Sequence, residues 1–208
     1  MLSAVAFLLA LGVGAPALAQ QNLPANGLLL IAKPTLTDSN FAKTVVLVTQ
    51  TEDASTVGVI INRPSDLRLS QFLSPEFATQ NYRDPIYYGG PVMRQVIVAV
   101  YRTETAPGAA AFHILKNIYL TMHPDNIKLL LDEPAAQYRL YAGFSGWAPR
   151  QLESEFMRDG WYVLPAEETV IFRTNAEGLW EELVERAQRR GPRAHNSGVT
   201  MPAKWFAP

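Results

Sequence analysis

Gly143-Phe144-Ser145-Gly146-Trp147 is the segment of this chain that comes nearest to a nucleophile motif. Acyl-transfer hydrolases hold a serine between glycines where a strand turns sharply into a helix, because larger flanking side chains do not fit that turn. The G-x-S-x-G pattern fails at its last position, where Trp147 stands, and Pro149 delays the helix that follows. A glycine-permitted turn with Trp147 packed into the fold is the favoured reading, and a nucleophilic Ser145 is its rival. The three histidines, His113, His123 and His195, supply at most half of a zinc site. His113 and His123 could lie on neighbouring strands, but His123-Pro124-Asp125 reads better as the start of a helix. The chain has no cysteine, which excludes a thiol nucleophile, a disulfide scaffold and a thiolate metal site. It has neither a G-x-G-x-x-G nor a G-x-x-x-x-G-K-[ST] phosphate loop. The sequence therefore names no catalytic residue, no metal ligand and no cofactor.

Residues suited to binding are easier to find. Asn62-Arg63-Pro64 closes the most apolar stretch of the chain, and Pro64 forces Arg63 into an extended conformation. An arginine so placed can grip a carboxylate or phosphate with two parallel hydrogen bonds. It can equally pair with an internal acid such as Glu153 or Glu155, which is the favoured reading. Gly89-Gly90-Pro91 reads as a bend, and its bare backbone would also let a ligand come close. Gln151 and Glu155, four apart, share a helix face, whereas Glu153 and Glu155 diverge. Asn62, Arg63, Gly89, Gly90, Ser145 and Gln151 are thus the candidate ligand-binding set, for an unknown protein or small-molecule partner.

The elements that must position these residues follow from periodicity. The runs 27–32, 44–49 and 56–62 are apolar, rich in β-branched residues and bounded by polar breakers, so each reads as a buried strand. Residues 86–88, 96–101, 112–115, 119–122, 139–144, 161–164 and 169–172 read as further strands. A single turn of helix is predicted over 69–73, and a polar loop over 74–85. Longer helices are predicted over 124–131, from Pro149 to about 158, and over 176–189 with Asn175 as N-cap. Leu179, Trp180, Leu183, Val184 and Ala187 give that last helix one apolar face. The sum is a single α/β (α+β) domain over residues 24–188 with a mixed sheet.

Charge is unevenly distributed. Eighteen basic and nineteen acidic residues nearly cancel, yet none occurs before Lys33. Residues 1–19 combine an apolar run, a Gly-Ala-Pro break and Ala17-Leu18-Ala19, a small-x-small cleavage pattern before Gln20. The predicted outcome is an export signal removed after Ala19, leaving no stable membrane span and a periplasmic or secreted protein; a cytoplasmic protein is the alternative. After Glu185 come five basic residues and no acid, so thirteen basic residues face nineteen acidic ones upstream. Residues 189–208 thus form a basic, flexible tail, read either as a frayed terminus or as an arm for an acidic partner.

Five motifs recur here in fixed order. They are Gly27–Pro34 followed by Asp38, Phe41 and Thr44-Val45-Val46; Gly58–Pro64; Tyr88–Val92; Tyr141–Glu155; and Trp161. In order and spacing the chain resembles the YqgE/AlgH family over roughly residues 24–187. The resemblance implies a compact α/β fold in which a mixed, partly barrel-like sheet is flanked by helices. It implies that the Asn62, Gly89 and Gly143–Glu155 segments are the signature of that fold. It supplies no biochemical activity, only a name linked to regulation of alginate synthesis. The chain departs from the pattern in its leader, in the short Met93-Arg94-Gln95 link, and in lacking a histidine at the end of the strand that follows.

Three functions are consistent with these readings. The first is an exported, non-enzymatic module, regulatory in role, that binds a partner or ligand. The second is a hydrolase acting near Ser145. The third is an intracellular transcriptional regulator that meets nucleic acid through the basic tail, which export would preclude.

Overall fold

A computed structural model describes residues 27–72, 82, 85–133 and 136–189. The leader 1–19, most of the 74–85 loop, and the tail from Arg190 with His195 lie outside the described residues. β1 (Leu28–Ala32), β2 (Val45–Gln50) and β3 (Thr56–Ile60) form where the β-branched runs predict them, and every residue of all three but Gln50 is buried. A 3₁₀ turn (Leu69–Gln71) precedes β4 (Tyr87–Tyr88) and the long β5 (Val92–Arg102). The hairpin β6 (Phe112–Leu115) and β7 (Ile118–Thr121) leads to α1 (Pro124–Asp132). β8 (Tyr138–Trp147), α2 (Gln151–Met157), β9 (Trp161–Pro165), α3 (Glu168–Ile171) and α4 (Leu179–Arg189) complete the chain.

The strands form one nine-stranded sheet in the order β6-β7-β5-β8-β3-β2-β1-β9, with β4 added beside β8. Every pairing is antiparallel except β4 with β8, so the sheet is mixed. It is not closed, but it curls far enough for Gly27 N to donate to Ile114 O at 2.8 Å and Thr49 Oγ1 to His113 O at 3.0 Å. The fold is thus the single domain with a mixed sheet that the residues predict, curled and flanked by helices as the family resemblance implies.

Alternation along the strands divides the core in three. Leu29, Ile31, Val45, Leu47, Val59, Val98, Val100 and Tyr141 point inside the curl, where α3 and α4 add Val170, Ile171, Leu179 and Leu183. On the outer face Leu30, Val46, Val48 and Ile60 pack with Trp147 and Trp161 beneath Leu152 of α2. Farther along that face Ile97, Ala99, Leu140 and Ala142 pack against Ile127, Leu130 and Leu131 of α1. Each aliphatic side chain so buried contributes about 1.5–3 kcal/mol, so these clusters dominate stability.

Four elements differ from the sequence reading. β5 begins at Val92 and not at 96, so Met93-Arg94-Gln95 is bulged strand and not a link. Residues 169–172 are not a strand: α3 is a helical turn there. A strand would send Val170 and Ile171 to opposite faces, but both are buried in the inner core. The last helix starts at Leu179 and not at 176, because Gly178 takes a left-handed φ of +68°. Asn175 still caps, accepting from Glu177 N at 2.8 Å, but it caps the turn before the helix. Finally, β8 does not turn after Phe144. It runs on through Ser145 and Trp147, changing partner from β5 to β3 on the way.

Candidate functional site

The Asn62-Arg63-Pro64 motif leaves β3 and is spent on the β1–β2 connection. Asn62 Oδ1 accepts from Val45 N at 2.8 Å, and its Nδ2 donates to Lys43 O at 3.0 Å. The Arg63 guanidinium donates to Asn40 O at 2.7 Å and Ala42 O at 2.8 Å. Between those carbonyls Phe41 is pushed onto Trp147 and Trp161, with ring centroids 5.6 and 5.5 Å away. The expected ion pair of Arg63 with Glu153 or Glu155 is therefore corrected: Arg63 binds backbone carbonyls. Glu155 is occupied elsewhere, its Oε2 accepting from Trp147 Nε1 at 3.1 Å and Trp161 Nε1 at 2.9 Å. Both indoles are buried, so one carboxylate satisfies two N–H donors that water cannot reach.

Gly89 and Gly90 are required by close approach of the chain to itself. A Cβ on Gly89 would lie 2.2 Å from Gly143 O, and one on Gly90 2.3 Å from Phe144 O. Gly89 is pinned by its N–H to Ala142 O at 2.9 Å and by Ile60 N to its own carbonyl at 2.8 Å. The bend reading of Gly89-Gly90-Pro91 thus acquires a cause: β4 is wedged against β8 where that strand changes partner.

Ser145 sits inside this junction. It is 0% exposed, and its Oγ donates to Gly89 O at 3.2 Å. The turn expected over Gly143–Trp147 is corrected to strand, so Ser145 is not raised at a strand-to-helix elbow. Gln151, the first residue of α2, is exposed and folds back to accept from Ala148 N at 3.2 Å. Of the six candidate binding residues, the structure therefore brings Gly89, Gly90 and Ser145 into one junction. It attaches Asn62 and Arg63 to the neighbouring loop and leaves Gln151 apart on the surface.

The histidines do not combine. His113 in β6 stacks on Tyr119 with ring centroids 4.8 Å apart. His123 is the N-cap of α1, its Nδ1 accepting from Asp125 N at 3.3 Å. Among the described residues no group of three or more His, Cys, Asp or Glu side chains is placed to hold a metal ion.

The residues at the rim of the junction that sequence reasoning passed over are Tyr88 and Arg94. The Arg94 guanidinium lies over the Tyr88 ring, 5.0 Å from its centroid. Arg63 is the next cation, half-buried, and burial pulls its guanidinium below the ordinary value while Tyr88 and Asp38 partly offset that. The sequence cue was modest: an arginine in an exposed Met-Arg-Gln stretch directly after Gly-Gly-Pro-Val.

Comparison with known proteins agrees with the geometry. A family model described as AlgH-like matches residues 29–190. A UPF0301 protein of Thermobifida fusca is 32% identical over 173 residues, covering 79% of this chain and 87% of the relative. One of Xylella fastidiosa is 32% identical over 163 residues, covering 76% and 86%. The solution structure of the AlgH protein from Pseudomonas aeruginosa superposes with a TM-score of 0.65 at 26% identity, over 80% of this chain and 88% of that one. A crystal structure of a Corynebacterium diphtheriae protein gives a TM-score of 0.57 at 24% identity, over 88% and 92%, which is a likeness of fold.

Proposed function

The chain belongs to the AlgH-like family, and we propose that it is an exported, non-enzymatic module that binds a partner or small ligand in a regulatory role. One observation carries this reading. The polar side chains of the family signature are turned inward on the chain's own backbone, with Ser145 fully buried and bonded to Gly89 O. A nucleophile must meet its substrate and a base, and a covered strand hydroxyl between β3 and β5 offers neither approach. The rim of the same junction is different: Arg63 keeps guanidinium N–H groups beyond the two it uses, and Arg94 is exposed. Binding at that rim, with Gly89, Gly90 and Ser145 as its rigid floor and Asn62 at its edge, suits a module that recognises without reacting.

Export rests on residues 1–19, whose short apolar run and Ala-x-Ala site suit a cleaved signal. N-terminal sequencing of the native protein from fractionated cells tests it. A chain beginning near Gln20 in the periplasmic or secreted fraction supports export. A cytosolic chain that keeps Met1 overturns it and favours the intracellular regulator.

A further inference from the structure

Tyr88 has Arg94 on its ring and Arg63 opposite it in the chain's own pairing. The isolated antiparallel bridge between Pro64 and Tyr87 sets Arg63 directly across from Tyr88, and Tyr88 N donates to Arg63 O at 2.8 Å. Residues opposite one another in such a pair carry their side chains on the same face. Arg94 comes from the other direction, out of the bulge in β5 where the register shifts between Val92 and Ile97. Met93 holds a left-handed φ of +45° in that bulge, and the Arg94 backbone is pressed close to Gly143. A non-glycine residue held in that region stores strain, and bulges re-aim side chains beside working sites. Here the bulge lays the Arg94 guanidinium on the Tyr88 ring.

The charges around this ring are not balanced locally. Neither Arg63 nor Arg94 forms an ion pair among the described residues, which is equally true of Lys43, Arg68, Lys116, Arg139, Arg150 and Arg158; what sets Arg63 and Arg94 apart is that they meet at one tyrosine. Asp38 acts on Arg63 only from beyond ion-pair range. The Tyr88 hydroxyl oxygen is covered by protein and has no hydrogen-bond partner among the described residues. Two guanidinium groups without an ion pair at one tyrosine favour an anionic occupant. We propose that Arg63, opposite Tyr88 in the bridge, and Arg94, over the Tyr88 ring, form a binding site for a small oxyanion, a carboxylate or a phosphate. Guanidinium groups suit that occupant, because their planar forks match its oxygens two at a time. This site gives chemical content to the binding-module reading and rests on it.

The test is a titration of the full-length, backbone-labelled protein followed by NMR, with inorganic phosphate, succinate and chloride compared at equal ionic strength and neutral pH. Saturable shifts centred on residues 63, 88 and 93–95 with phosphate or succinate, and not with chloride, are the expected result. The tighter of the two identifies the oxyanion's source. Arg94→Ala, an exposed change that leaves the loop clamp of Arg63 intact, weakens binding by about ten- to a hundredfold, the value of one charge-assisted contact. Arg94→Lys restores only part of it, because the fork is lost. Equal, unsaturated shifts with all three salts, or unchanged binding by Arg94→Ala, overturn the site. Such a failure removes this site alone; the binding-module reading falls on a separate result, covalent labelling of Ser145.

Discussion

Replacing Glu155 tests the packing account of the outer core. Its Oε2 accepts from both indoles, and Trp147 and Trp161 are only 3% and 2% exposed. Glu155→Gln keeps one acceptor oxygen that can take the same position, so it loses charge assistance but no bond. That loss is about 1–2 kcal/mol for the pair, the difference between charged and neutral hydrogen bonds. Glu155→Leu removes the acceptor and leaves two buried N–H donors, at about 1–3 kcal/mol each, or roughly 2–6 kcal/mol in all. The half-buried neighbour Glu153→Gln, which has no hydrogen bond or ion pair to lose among the described residues, serves as control, expected to stay within about 0.5 kcal/mol. Urea unfolding followed by tryptophan fluorescence reads all three, since the affected indoles are the reporters. The order Leu far below Gln, and Gln below the control, is predicted. If Leu and Gln cost the same, or both match the control, the carboxylate is not what holds the two tryptophans.

Three further outcomes follow from the same structure. Gly89→Ala places a Cβ against Gly143 O and is expected to destabilise by about 3 kcal/mol or more, as steric conflict with backbone does, measured by thermal melting. An unchanged melting temperature would mean that β4 does not sit in that wedge. Arg139, almost wholly buried, donates to Ile171 O at 2.8 Å and Arg173 O at 2.6 Å, so Arg139→Met should cost about 2–4 kcal/mol and speed amide exchange first in α3. Uniform exchange across the chain would show that Arg139 does not hold α3. Burial pushes the Tyr101 phenol up to about 12 and raises Tyr141 as well. The folded state then keeps protons that the unfolded state loses near pH 10, so stability holds below about pH 10 and falls as pH rises toward 12. Unfolding at stepped alkaline pH, with phenolate absorbance in parallel, should show this fall and a lagging tyrosine fraction. Simultaneous titration of every tyrosine would refute it.

Much of the fold was legible because its strands are locally consistent. β1, β2 and β3 are apolar, β-branched and buried on both faces, and α1 announces itself through His123-Pro124-Asp125. The failures lie where tertiary demands override local propensity. Thr169-Val170-Ile171 is β-branched, yet folds as a helical turn so that two consecutive residues face one core. Gly143 and Gly146 look like breakers, but both lie in strand, and Gly143 lets β8 pass close to Gly90 and β5 while it changes partner. At the candidate site, residue types were readable and partnerships were not. Nothing local in the sequence says that Arg63 binds the carbonyls of Asn40 and Ala42, or that Arg94 reaches Tyr88 across a bulge.

The central claim is that the signature serine is architecture and the protein binds without reacting. Incubating the native protein with a broad fluorophosphonate probe, followed by intact mass and peptide mapping, tests it most directly. The buried hydroxyl of Ser145, bonded to Gly89 O, predicts an unmodified protein. A stoichiometric adduct at Ser145 that forms on the folded chain, and not after unfolding, would contradict the account and place a hydrolase at this junction.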